Sequence, residues 1–203
     1  MSRYALAAHA PVLAKAGARW LKRARITIPT GPTMSQPADG RALFLDRDGV
    51  LNRDLGYVGS RGRLVLIDGA VAAVRRANAA GYRVFVVTNQ SGVARGYFTE
   101  DDVAALHAWM RARFQEEGAR IDGFRYCPHH PDGVVPAYAQ RCACRKPAPG
   151  LLRGLIEQYG IDPARSLLVG DSERDRAAAR AVGIPAHLFN GGDLDAFLAP
   201  LLA

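Results

Sequence analysis

The chain has 203 residues, 49% of them hydrophobic and 23% charged, the makeup of a globular protein able to bury one substantial core. No run of eighteen apolar residues occurs, which argues against a helical membrane span. The formal charge of +8 does not demand a nucleic-acid surface: residues 1–38 contribute +6 through Arg3, Lys15, Arg19, Lys22, Arg23 and Arg25, with no acidic residue, leaving +2 for everything after them.

Residues 1–38 read as a basic extension preceding a domain at 39–203. A helix over 12–25 would set Leu13, Ala16, Trp20 and Ala24 against Lys15, Arg19 and Lys22, a pattern suited to an anionic membrane surface. The plainer reading is a disordered extension, or a chain whose natural start is Met34, just before the polar lead-in SQPADG. After a link containing Pro and Gly at 29–40, strands and helices alternate. A strand over 42–46 is followed by a helix over 70–80, a strand over 83–88 and a helix over 99–117. A stretch rich in Cys, His and Pro intervenes, then a helix over 149–159, a strand over 166–170, a helix over 174–182 and a weaker strand over 186–189. Thr99 and Asp102 have the spacing of an N-cap, and Gly81, Gly118, Gly160 and Gly183 fall where helices should stop.

This alternation predicts an α/β fold, a doubly wound and mostly parallel sheet with helices on both faces. In such sheets ligands bind beyond the carboxyl ends of the strands. Asp46, Thr88 and Asp171 each fall at such an end, so three distant segments are expected to converge. On an extended chain Asp46 and Asp48 point the same way, so both could face one reacting phosphorus. Thr88 offers a hydroxyl, Lys146 a fixed charge and Asp171 a further metal ligand. An Asp-x-Asp at a strand end is a weak signal by itself. Its weight comes from the order in which the other elements follow.

Those elements, FLDRDGVLN (44–52), VVTNQSG (86–92), Lys146 in CRKPAPG (144–150) and VGDSERD (169–175), resemble the four motifs of the haloacid dehalogenase superfamily of phosphatases. The resemblance implies that Asp46 is the nucleophile and Asp48 the general acid/base. It further implies that Asp46, the Asp48 main-chain carbonyl and Asp171 hold Mg²⁺, while Thr88 and Lys146 bind the transferring phosphoryl oxygens. Asp175 reads as a helix-start or supporting contact. Only residues 49–68 separate the first strand from the first helix, room for a minimal cap and not a lid domain.

Cys127-Pro128-His129, twelve residues, then Cys142-Ala143-Cys144 offers three thiolates and an imidazole, the donor set of a closed, structural Zn²⁺ site. Spacing does not choose between His129 and His130. An odd, clustered cysteine set also suits a reducing compartment, hence a cytoplasmic location. Together with GYV (56–58), NQSGVARGYFTE (89–100) and CPHHPDG (127–133), this loop is similar to that of the heptose 1,7-bisphosphate 7-phosphatase branch of the superfamily. That likeness assigns zinc to Cys127, His129, Cys142 and Cys144, and phosphate contact to Arg145 and Lys146. It places substrate near Asp54, Leu55, Gly56 and Tyr57, and near Asn89, Gln90 and Ser91 beside Thr88.

The branch resemblance implies a small phosphorylated sugar substrate, no nucleic acid, a monomer, and a place in nucleotide-activated heptose synthesis for lipopolysaccharide or related glycans. Ser172 stands where the branch often has lysine, which leaves one substrate-binding charge unaccounted for. Histidinol-phosphate phosphatases share the aspartates, but their zinc loop is typically shorter than 130–141. More distant rivals are a polynucleotide phosphatase and a zinc-stapled binding module without activity.

Overall fold

A computed structural model describes residues 40–202. The basic segment 1–38, and with it the choice between a disordered extension, a start at Met34 and an amphipathic membrane-facing helix, lies outside the described residues. Five parallel strands form one sheet: β1 (Ala42–Leu45), β2 (Arg83–Asn89), β3 (Gly123–Cys127), β4 (Leu167–Gly170) and β5 (Ala186–Leu188), in the order β3-β2-β1-β4-β5. The helices are α1 (Ala70–Ala79), α2 (Glu100–Glu116), α3 (Gly150–Tyr159), α4 (Glu173–Arg180) and α5 (Leu194–Leu198).

Apolar runs without alternation suit a sheet covered on both faces. Leu43, Leu45, Val84, Val86 and Phe124 enter one core with Val74, Met110 and Leu198 of α1, α2 and α5. Their neighbours Phe44, Phe85, Val87 and Leu168 enter the other, against Leu151 and Leu155 of α3 and Ala178 of α4. The chain winds outward from β1 to β3, then crosses back to β4 on the far side of β1. Because parallel crossovers are right-handed, that reversal puts α3 and α4 on the opposite face from α1 and α2. It also opens a crevice between the carboxyl ends of β1 and β4, the switch point of the sheet.

Thr99 and Asp102 form a reciprocal capping box at the start of α2. Gly81, Gly118, Gly160 and Gly183 all adopt positive φ where chains leave helices. The insert after β1 holds a short 3₁₀ turn, Arg61–Arg63, and two isolated bridges that pair Asn52 in parallel with Asp48 and antiparallel with Leu66.

Two elements go beyond the sequence expectation. Strand β3 (GFRYC) is broken in sequence by a glycine and Arg125, so it does not read as an apolar run. It is nevertheless buried throughout, with the Arg125 guanidinium reaching Gln158 of α3. Helix α5 is only five residues long, too short to show periodicity.

Candidate active site

Beyond β1 the Asp46 amide continues the ladder by donating to the Val169 carbonyl of β4 at 2.9 Å. Its carboxylate therefore stands at the switch point. There it meets the Lys146 ammonium at 2.8 Å and accepts from the Arg47 amide at 2.7 Å. Lys146 is only 3% exposed, and a buried ammonium is tolerable only when fully partnered. It also pairs with Asp175 at 2.5 Å and donates to the Val87 carbonyl at 2.8 Å. Burial pushes the Asp46 carboxyl up to about 6; Lys146 opposes that rise and Asp175 adds to it. Burial alone would lower the Lys146 ammonium, but Asp46 and Asp175 hold it above its ordinary value.

One carboxylate oxygen from each of Asp46, Asp171 and Asp175 lies within 4.8 Å of the others. Two glycines permit this approach. Gly49 has φ +83°, and a Cβ there would stand 2.2 Å from Asp171 Oδ2. A Cβ on Gly170 would stand 2.2 Å from that of Asp175. Burial, with Asp175 beside it, raises the Asp171 carboxyl as well. Asp175 goes the other way: burial would raise it, but Lys146 and hydrogen bonds from Ser172 hold it low. Asp175 thus completes the α4 capping box with Ser172 while serving as counter-ion to Lys146, the supporting contact expected of it.

Asp48 corrects the extended-chain expectation. The backbone turns immediately after Asp46, with the amides of Leu51 and Asn52 both bonding the Arg47 carbonyl at 2.9 and 3.0 Å. Asp48 therefore acquires partners of its own. It accepts from Arg47 at 2.9 Å, from Asn52 at 2.9 Å and from Gln90 at 2.8 Å, and still lines the same cleft as Asp46. Arg47 is fully buried, and also donates to the Val58 carbonyl and to Gln90 Oε1. Sequence reasoning gave this arginine no task.

The cleft has a volume of about 340 Å³. Thr88, Asn89, Gln90, Ser91, Asp54, Gly56, Tyr57, Arg145, Lys146 and Asp171 line it, together with Ser172; Leu55 is half-exposed and does not. Asn89 and Gln90 spend their amides within the protein. Asn89 exchanges two 3.0 Å hydrogen bonds with the Lys146 backbone, and Gln90 donates to Thr88 Oγ1 at 2.9 Å as well as to Asp48. Arg95, Phe98 and Arg174 also line the cleft and were not singled out from sequence; His130, which sequence offered only as a rival zinc ligand, lines it too. The signal available for Arg95 was its place in NQSGVARGYFTE; Arg174 follows the GD turn by only two residues.

A second cluster lies just behind Lys146. The thiols of Cys127, Cys142 and Cys144 stand 3.3–3.5 Å apart, and His129 Nδ1 lies 3.4 Å from Cys144 and 3.7 Å from Cys127. A tetrahedron with metal–ligand bonds of about 2.0–2.3 Å has edges of this size, so the donors fit zinc in both chemistry and spacing. His130 turns away: its Nδ1 accepts from the Asp132 amide at 3.1 Å. Of the two histidines, His129 is the one that stands among the thiols. Contacts with Cys142 and Cys144 push the Cys127 thiol up, while those with Cys127 and Cys144 push Cys142 down, so the crowded thiols resist carrying charge together. Glu100 at the start of α2 accepts from Tyr126 at 2.9 Å and from Tyr138 at 2.8 Å, tying this loop to the domain.

The family model for haloacid dehalogenase-like hydrolases matches residues 3–183. The chain belongs to this family. Among relatives of this hydrolase is D-glycero-beta-D-manno-heptose-1,7-bisphosphate 7-phosphatase of Rhodopseudomonas palustris, 52% identical over 79% of this chain and 89% of the relative. The D-glycero-alpha-D-manno-heptose-1,7-bisphosphate 7-phosphatase of Burkholderia mallei is 46% identical over 71% of this chain and 76% of its own. Among solved structures, D,D-heptose 1,7-bisphosphate phosphatase from B. bronchiseptica, complexed with magnesium and phosphate, superposes with a TM-score of 0.67 at 37% identity. It covers 78% of this chain, and 86% of its own chain is matched. Within the haloacid dehalogenase-like frame, the cleft combines a buried carboxylate at a strand end, a buried lysine touching it and a second aspartate within reach. These parts suit transfer of a phosphoryl group.

Proposed function

We propose that this hydrolase removes the 7-phosphate of D-glycero-D-manno-heptose 1,7-bisphosphate through an aspartyl-phosphate on Asp46. The observation that supports this best is the Asp46 carboxylate, placed at the switch point and held at 2.8 Å from a buried lysine. With its carboxyl at about 6, Asp46 is mostly ionised at neutral pH. In the first half-reaction an Asp46 oxygen forms a bond to phosphorus as the bond to the sugar oxygen breaks. Asp48 gives that oxygen its proton. In the second, Asp48 takes a proton from water, the water oxygen attacks phosphorus, and inorganic phosphate leaves with the Asp46 carboxylate restored.

Lys146 and the Thr88 hydroxyl stabilise charge on the transferring oxygens, each worth roughly 10²–10³ in rate. Asn89 keeps the Lys146 backbone in place. The Arg47–Gln90–Asn52 brace orients Asp48. The hard oxygen donors of Asp46 and Asp171, both carboxyls raised by burial, fit a magnesium ion, and the Asp48 main-chain carbonyl would complete the protein's share of its ligands. When bound, that ion supplies positive charge to the phosphoryl oxygens.

Cys127, His129, Cys142 and Cys144 would hold structural zinc, fixing the loop from which Arg145 and Lys146 emerge. Three reduced thiols sharing a metal suit the cytoplasm. The product would feed nucleotide-activated heptose synthesis.

The test is phosphate release from both anomers of the heptose bisphosphate, with histidinol phosphate for comparison. Turnover of at least one anomer should greatly exceed that of histidinol phosphate; the reverse ranking would overturn the substrate assignment. Relatives named for either anomer leave the C1 configuration to this measurement.

A further inference from the structure

We propose that His107, which does not line the cleft, is a positioning residue for the reaction: its Nε2 accepts a hydrogen bond from Arg47 and so fixes the guanidinium that aims Asp48. The proposal rests on the reading of Asp48 above as general acid/base, and deepens it to a residue of helix α2. His107 is only 1% exposed. Two side chains of β3 hold its ring. Phe124 stacks on it with centroids 4.5 Å apart, and Tyr126 meets it edge-on at 5.7 Å. So held, Nε2 stands 3.4 Å from Arg47 Nη1, and among the described residues it is the hydrogen-bond partner of that nitrogen. The rest of the fork is committed elsewhere. Nη2 donates to both Asp48 oxygens at 3.0 and 2.9 Å, to the Val58 carbonyl and to Gln90 Oε1, while Nε reaches Asp48 Oδ1 at 3.3 Å.

A guanidinium only donates, so Nε2 presents its lone pair and the imidazole is neutral, with its proton on Nδ1. The surroundings keep it so: burial, with the charges of Arg47 and Arg111 nearby, holds this imidazole well below the ordinary histidine range. Arg111, one helical turn further along α2, lies over the same Phe124 ring at 5.4 Å. For packing alone the arrangement is a poor one. Nδ1 is buried with no partner among the described residues, and a phenyl ring in its place would remove that orphaned donor. What the imidazole supplies, and a phenyl ring cannot, is an acceptor for a fully buried arginine. Without it Nη1 is left unpaired inside the protein, and the guanidinium shifts to find another acceptor. Since Nη2 holds both Asp48 oxygens, any such shift moves the carboxylate that must meet first the leaving oxygen and then the water.

The test compares kcat/KM for an alkyl ester, heptose 1,7-bisphosphate, with that for p-nitrophenyl phosphate, in the magnesium-loaded full chain and in H107F and H107Q. The alkyl leaving oxygen needs the Asp48 proton, whereas p-nitrophenolate departs without one. H107F keeps a ring on Phe124 and removes the acceptor. It should lose about 10–100-fold in kcat/KM on the heptose ester, chiefly through kcat, and stay within about threefold on p-nitrophenyl phosphate. H107Q, whose side-chain carbonyl can accept from Arg47, should recover to within about threefold of the unsubstituted chain on both esters. An equal fall on both esters in H107F, as lost packing alone would give, would overturn the positioning role. So would an undiminished rate on the heptose ester, or an H107Q as impaired as H107F.

A control separates this role from the readings beneath it. D48N should show the same selective loss on the alkyl ester, and a larger one than H107F. If D48N shows it and H107F does not, Asp48 keeps its assignment and His107 loses its own. If D48N turns over the alkyl ester at the unsubstituted rate, the Asp48 reading falls and the proposal falls with it. Should heptose bisphosphate not be turned over, histidinol phosphate, also an alkyl ester, takes its place, so the substrate assignment can fail while His107 is still tested.

Discussion

Two clusters of crowded ionisable groups flank the short stretch 144–146, and they manage their charge in opposite ways. At the switch point Asp46, Asp171 and Asp175 face a cation from the chain itself, the buried Lys146 ammonium. One carboxylate is thereby held low while the other two remain raised, beside an open cleft. The second cluster has three thiols and an imidazole and no cation of its own within the donor set. The first arrangement leaves room for substrate, as catalysis requires. The second is closed on itself, as a structural metal requires. The two communicate along the backbone, since Asn89 pairs in register with Cys127 and also clamps Lys146.

The comparison breaks most sharply at Lys146. Lys146→Met strands Asp46 and Asp175 without their shared cation, and removing one side of such a buried pair costs roughly 3–5 kcal/mol. Chemical denaturation should show that loss, and turnover should fall by about 10²–10³ or more.

Cys142→Ser attacks the other cluster. Zinc content should drop and the midpoint of thermal unfolding should fall, with activity reduced through the loosened Arg145–Lys146 segment. Metal analysis alongside kinetics checks this. Full zinc and full activity would remove the structural-metal assignment.

Asn89→Ala probes the link between them. Losing both hydrogen bonds to the Lys146 backbone should cost about 1–3 kcal/mol and lower kcat more than it raises KM.

The smallest effect concerns pH. In the metal-free protein Asp46 titrates at about 6, above its unfolded value of 3.8, so its ionisation costs stability as pH rises between these values. Magnesium should recover that loss. Its affinity should weaken about tenfold per pH unit below about 6, readable by calorimetric titration.

Much of this site is legible in sequence because it is built on strand ends. Asp46, Thr88 and Asp171 follow apolar runs whose parallel pairing follows from periodicity, and the spacing of the cysteines exposes their cluster. Other parts are set by tertiary contacts. Strand β3 is concealed by Arg125, whose polar end reaches Gln158 at the sheet edge. Arg47 reads as a spacer between two aspartates, yet it is fully buried and braces Asp48. The amides of Asn89 and Gln90 look available to substrate in sequence, but turns and a buried lysine backbone claim them first. Which of His129 and His130 joins the thiols depends on a local turn that hands His130 to the Asp132 amide.

The account turns on Asp46 becoming the site of covalent phosphorylation. Mass spectrometry of Asp48→Asn, quenched in acid during incubation with substrate and magnesium, tests this most directly. The expected result is one added phosphoryl group on the peptide containing Asp46, absent when Asp46→Asn is combined with it. A phosphoryl group on another side chain, or rapid turnover by Asp46→Asn with no covalent species, would contradict it.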